Sequence, residues 1–206
     1  EARDMEWIDQ AARVLIADAA GLSLNGNHEI VFGRDPGTGP LIGYVSYRKN
    51  ANWTDVSIHD FNGIIYVNGN CEVSGVVDGE VTVVSNGQMD IVDDLVVYDS
   101  GANGPNPGCD DIIGLAAGSK LVVSDSVPNQ SDCEIHAYLV AINNQACMVE
   151  KYSHGSPRGT LTLYGGVAQD KWGPVGTGYF NEDGEFVVST GYQRDFHYDW
   201  RFRDLL

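Results

Sequence analysis

The chain is poor in positive charge. Among 206 residues only 12 are Lys or Arg, against 29 Asp or Glu, for a formal net charge of −17. Such a surface repels nucleic acid and anionic membranes. It suits an extracellular, marine or salt-adapted protein, a binder of cations, or simply a very soluble chain. No apolar run reaches the roughly 18 residues of a membrane span, so no membrane insertion by this stretch is expected. No signal peptide is present; the sequence opens on "EARDMEWIDQ" without an initiator Met, and a mature or trimmed chain would have lost one. Cysteine is scarce: Cys71, Cys109, Cys133 and Cys147 include no C-x-x-C pair, which argues against a zinc site. His28, His59, His136, His154 and His197 are dispersed without metal-ligand spacing, and no G-x-S-x-G marks a serine nucleophile. Proline is low at 7 while glycine stands at 25, a balance that suits the many turns of an all-β chain.

One stretch reads as a helix. In "DMEWIDQAARVLIADAA", Asp4 to Ala20, the residues Met5, Ile8, Ala12, Leu15 and Ile16 share a face, with Asp4 as cap and Gly21 after the end. From His28 to His59 come three alternating runs, read as a β lead-in. Residues 1–60 are therefore taken as helix and lead-in, and 61–206 as the main domain. Within it, "IYVNGNCEV", "VTVVSNGQMDIV", "IGLAAGSKLVV", "LVAINNQACMV" and "LTLYGGVAQ" each set a short apolar strand, a small-residue corner and a second apolar strand. The corners fall near Asn68, Asn86, Gly118, Asn143 and Gly165. A unit repeated at this period predicts a parallel β-helix. "VDGE" and "SNGQ" alone are hairpin signals, so a sandwich or barrel is the rival.

Stacking "GLAAG" (Gly114 to Gly118) on "LVAIN" (Leu139 to Asn143) gives an offset of 25 residues. That carries Cys109 to within one residue of Cys133 on the next rung, within reach of a disulfide. The alternative is four reduced thiols. Cys71 and Cys147 lie in apolar strands and read as buried free thiols. The tail "YQRDFHYDWRF" places Tyr192, Phe196, Tyr198, Trp200 and Phe202 mostly in alternation with polar residues. It reads as an aromatic cap lying apolar side down on the last rung, with the N-terminal helix over the other end.

The ordered set "GIIYVNGNCEVSGVVDGEVTVVS", "IVDDLVVYD", "DIIGLAAGSKLVV", "EIHAYLVAIN", "RGTLTLYGGVAQDKWGPVGT" and "GYQRDFHYDWRF" covers about residues 60 to 203. It resembles a bacterial β-helix family of unassigned function, found behind pilin-like N-terminal segments in cell-envelope proteins associated with type IV pilus assembly. The resemblance implies a right-handed parallel β-helix at the cell surface or in the envelope. It brings no catalytic residues.

Many parallel β-helices act on polysaccharides, and their acid/base chemistry needs carboxylates converging on one face. This chain offers Asp110-Asp111, His154-Gly155 and Arg158, but no Asn-Thr-Asp and no Arg-x-Lys. Asp93, Asp94 and Asp99, with Asp110 and Asp111 leading into the next strand, form an oxygen-rich group of the kind calcium takes. The competing reading puts one of the adjacent Asp93 and Asp94 in a corner or bulge, capping backbone amides. His136 is expected to be hydrogen-bonded or stacked in the core. "NWT" at Asn52 and "NQS" at Asn129 are glycosylation sequons. Trp172, Tyr179, Tyr192, Phe196, Tyr198 and Trp200 are candidate contacts for a glycan or a partner. The expected function is a non-enzymatic extracellular or envelope component, filament-forming or adhesive, that associates with itself or with other envelope subunits and needs no cofactor, Ca2+ being the one candidate ion. The alternative is a carbohydrate-active or glycan-binding β-helix.

Overall fold

The computed structural model of the chain describes residues 21–142 and 146–201. The helix expected over Asp4 to Ala20, the corner at Asn143 and Phe202 of the tail lie outside them.

The described chain is all-β. The strands are β1 (Leu22–Asn25), β2 (His28–Phe32), β3 (Tyr44–Arg48), β4 (Thr54–Ser57), β5 (Ile64–Asn68) and β6 (Cys71–Val77). Next come β7 (Glu80–Ser85), β8 (Met89–Val97), β9 (Ser100–Gly101), β10 (Gly104–Pro105), β11 (Ile112–Ala117) and β12 (Leu121–Val123). The last six are β13 (Cys133–Ile135), β14 (Tyr138–Ala141), β15 (Cys147–Val149), β16 (Pro157–Gln169), β17 (Gly176–Phe180) and β18 (Phe186–Tyr198). All but β9 and β10 join one large curled sheet in which parallel pairing dominates.

Strands that follow one another across the "VDGE" and "SNGQ" cuts do not pair. Instead β5 pairs with β7 and β7 with β11, while β6 pairs with β2 and β8, all in parallel. These cuts are corners, not hairpin turns. Parallel register puts like on like. One core-facing column runs Leu22, Ile65, Val83, Leu115, Leu139, Val167. A second runs Ile30, Val73, Ile91, Val123, Val149. A third runs Leu95, Ile135, Leu163, Phe196. Alternate residues turn inward, as strand geometry requires, and they merge into one apolar core reaching from Leu24 to Tyr192.

The corners are tied by side chains. Asn68 Nδ2 donates to Asn25 Oδ1 at 3.3 Å, and Asn86 Nδ2 donates to Asn68 Oδ1 at 2.6 Å. Two residues on, the Asn70 N–H bonds Asn27 Oδ1 and the Gln88 N–H bonds Asn70 Oδ1. The corner Asn25-Gly26-Asn27 thus belongs to the same series, although sequence reading placed it before the lead-in. β1 and β2 are strands of the same sheet, and within the lead-in it is the antiparallel β3 and β4 that depart from the pattern. Gly165 is no corner of this series. It is the bend at which β16 leaves β18 and joins β14, and a Cβ there would overlap the carbonyl of Ala137.

The expected Cys109–Cys133 disulfide is corrected: all four cysteines are free thiols. The strand offset is 24, with Leu115 beside Leu139, yet it does not extend back to Cys109. Between β8 and β11 the chain leaves the sheet for the β9–β10 ribbon, and Cys109 sits in the corner that follows, its Sγ 3.6 Å from the Asp111 carboxylate. Cys133 belongs to a strand facing Leu161. Register carried across an insertion loop had no hydrogen bonds to hold it.

Candidate functional site

The C-terminal end of the sheet holds most of the exposed aromatic surface. Trp172, Tyr179, Phe180, Phe186, Phe196, Tyr198 and Trp200 are between 40% and 72% exposed. β17 folds back antiparallel on the first half of β18. The second half of β18 pairs with β16 on one edge, and among the described residues no strand covers the other. The rings are arranged rather than scattered: Phe180 meets Phe186 edge-on at 5.4 Å between centroids, and Tyr198 meets Trp200 at 5.0 Å.

The tail therefore joins the sheet as expected but does not lie apolar side down. Of its described aromatics only Tyr192 is buried. Its hydroxyl donates to the carbonyl of Asn129, which Arg158 also approaches. Desolvation in this setting pushes the Tyr192 phenol up to about 12. Phe196 and Tyr198 stay open because no further strand stacks beneath them among the described residues.

Under the same end lies a mostly apolar cavity of about 270 Å³, with Trp172, Arg194 and Phe196 among its walls. Trp172 and Phe196, two of the aromatics named from sequence, thus meet at one opening. Arg194, not singled out there, lies 4.8 Å from the Trp172 ring centroid and 5.3 Å from that of Phe196. Its alternation with Phe196 along the tail was the available signal.

The five aspartates named as a calcium group are not brought together. Asp93 accepts from the Asp94 amide and Asp94 from the Glu134 amide, both at 2.8 Å, in the bulge where β8 departs from the register of β6. Burial pushes the Asp94 carboxyl upward, opposed by the Glu134 amide. Asp99 bonds Asn106. Asp111 is buried and accepts from the Gly79 and Asp99 amides at 2.7 and 3.1 Å, while Asp110 is exposed. Among the described residues no three His, Cys, Asp or Glu side chains form a group able to hold a metal.

The residues that suggested polysaccharide hydrolysis are likewise divided. His154 and Arg158 line a polar cleft of about 780 Å³ together with Asp125, Glu150 and Lys151. Asp125 is ion-paired to both Lys151 and Arg158, and these two cations hold its carboxyl below the usual range. Asp111 turns to another corner, where Arg201 donates to its carbonyl at 2.8 Å. His136 is buried. Its Nδ1 accepts from the Val97 N–H at 3.3 Å and its Nε2 lies 2.7 Å from Glu134 Oε1, with Tyr164 edge-on to the ring. Tyr164 in turn stacks on His197 at 4.7 Å. At the "NQS" sequon, Asn129 is buried, and its Nδ2 donates to the carbonyls of Ile91 and Ser124, so its amide is not available to a glycan.

Comparison with family models, with curated proteins and with solved structures gave no match for the chain.

Proposed function

We propose that the chain winds as a right-handed parallel β-helix and serves as a non-enzymatic structural or adhesive part of a bacterial cell envelope or filament. Its C-terminal end would receive a further copy. The observation that carries this reading is the exposed aromatic surface of β17 and β18 beside a strand edge left open among the described residues. Edges of this kind accept an added strand through main-chain hydrogen bonds, with side-chain pockets setting specificity. Aromatic side chains are the usual anchors of such contacts. The winding is supported by the in-register aliphatic columns and the chain of corner asparagines. The extracellular or envelope location and the pilus association rest on the family resemblance, and the acidic composition agrees with them.

Sedimentation velocity over a wide concentration range, with negative-stain microscopy, tests the assembly. The wild-type chain is expected to form concentration-dependent linear oligomers. Phe180→Lys combined with Tyr198→Lys, both at exposed positions, should abolish them while leaving the circular dichroism spectrum unchanged. A wild-type chain that stays monomeric throughout, or a double variant that still polymerises, would count against this end as the contact.

A further inference from the structure

We propose that the cavity at the C-terminal end binds a small aliphatic carboxylate, apolar tail inward, with Arg194 holding the head group. This inference rests on the apolar cavity and one cation, not on the assembly reading.

The cavity follows from how the columns end. The first column stops at Val167 and the second at Val149, with no further strand beneath them among the described residues. Only the third continues, into β18. The chain at Trp172 to Val175 crosses below β15, where the Val149 N–H donates to the Pro174 carbonyl at 3.0 Å. It does not fill the space. What remains is walled by aliphatic side chains, Leu139, Val149, Leu161 and Val167 among them. At about 270 Å³ it is just below the range of roughly 300–1,000 Å³ typical of small-molecule pockets.

Arg194 is exposed and stands at the rim of the cavity. In register it follows Cys133 and Leu161 on the core-facing side, both of them buried. A guanidinium therefore stands where each preceding strand supplies an apolar group. Arg34, Arg48, Arg158 and Arg201 each hold a carboxylate, whereas Arg194 has no carboxylate partner among the described residues. That is unexpected in a chain with 29 acidic residues. Arg194 Cζ lies over the rings of both Trp172 and Phe196. Rings accept the charge without forming N–H···O bonds, and a carboxylate matches the guanidinium fork.

The ligand class follows from these walls. A sugar would bring many hydroxyls to a surface with few partners, since the Oε1 of Gln169, the polar side chain farther in, already accepts from the Cys147 amide at 2.8 Å. A chain of methylenes ending in one charged head leaves no polar group unpaired. An esterified acyl chain would bring no charge to Arg194.

The test is calorimetric titration of the full chain with sodium octanoate, followed in parallel by tryptophan fluorescence, since Trp172 stands at the opening. Saturable binding of one octanoate per chain is expected, with a negative heat-capacity change. Arg194→Gln should weaken it roughly ten- to hundred-fold, as loss of a charged hydrogen-bond partner does. Leu139→Trp, which fills the cavity, should abolish it. Methyl octanoate and octanol should bind both the wild type and Arg194→Gln weakly and alike. Unfolding midpoints of both variants show whether they remain folded, and a His154→Ala chain, altered in the separate polar cleft, should bind as the wild type does. The proposal is overturned if octanoate does not saturate, if Arg194→Gln binds it equally well, or if the neutral analogues match it.

Discussion

Arg201 reaches back 90 positions to the carbonyl of Asp111, with Nη1 2.8 Å from that oxygen and 3.0 Å from the carbonyl of Cys109. Its other nitrogens grip Asp199. The last described turn of the chain is thereby clamped onto the corner that follows the β9–β10 ribbon. Arg201→Gln is expected to cost about 1–3 kcal/mol, the range for hydrogen bonds to a charged group and the carbonyls left behind. Amide exchange should rise in residues 98–111 and 195–201 and stay unchanged in β5 and β7. Uniform exchange across the molecule would argue against a local clamp.

The corner asparagines bear unequal loads. Asn68 both donates to Asn25 and accepts from Asn86, whereas among the described residues Asn25 has a corner neighbour on one side only. Asn68→Ala should lower stability by about 1 kcal/mol and Asn25→Ala by less, since each net hydrogen bond contributes about 0.5–1.5 kcal/mol. Urea midpoints at constant m-value measure the difference.

Gly75 has φ of +106°, and a side chain there would overlap the carbonyl of Phe32 on β2. Gly75→Ala combines a backbone penalty with a backbone clash and should cost more than about 1 kcal/mol. Gly37, also at positive φ but with nothing within 4 Å, serves as the control that carries the backbone penalty alone. Equal losses at the two positions would refute the close approach.

His136 sets a pH dependence. Desolvation holds its imidazole below the ordinary value, although Glu134 pulls the other way. The Val97 N–H can only donate, so Nδ1 must accept and the ring must be neutral. The folded value lies beneath the unfolded one of about 6.5. This contribution to stability is therefore complete above about pH 6.5 and is lost as pH falls toward the folded value, by at most about 1.4 kcal/mol per pH unit. His136→Phe should be less stable at pH 8 and show a shallower decline between pH 7 and pH 5. A decline unchanged from the wild type would exclude His136 as its source.

Four free thiols give a direct count. The unfolded, unreduced chain should react with four equivalents of a thiol reagent. The native chain should react slowly, because burial raises the Cys71 and Cys147 thiols to about 12 and raises Cys109 and Cys133 as well. Two equivalents in the unfolded chain would restore the Cys109–Cys133 bridge.

The sequence by itself determined the parallel stacking. Its evidence was short-range and repeated: apolar alternation on both sides of an Asn-Gly corner, copied often enough that like residues fall in register. The corner at Asn25 was equally legible and was missed, because the antiparallel β3 and β4 separate it from its next copy. Only the tertiary structure decided which side chains meet. The β9–β10 ribbon shifts Cys109 off the register of Cys133, the bulge at Asp93 and Asp94 turns both carboxylates to amides, and the end of two columns leaves Arg194 facing a cavity. Strand period is a local property of the backbone, whereas these outcomes depend on insertions and chain ends that no local repeat encodes.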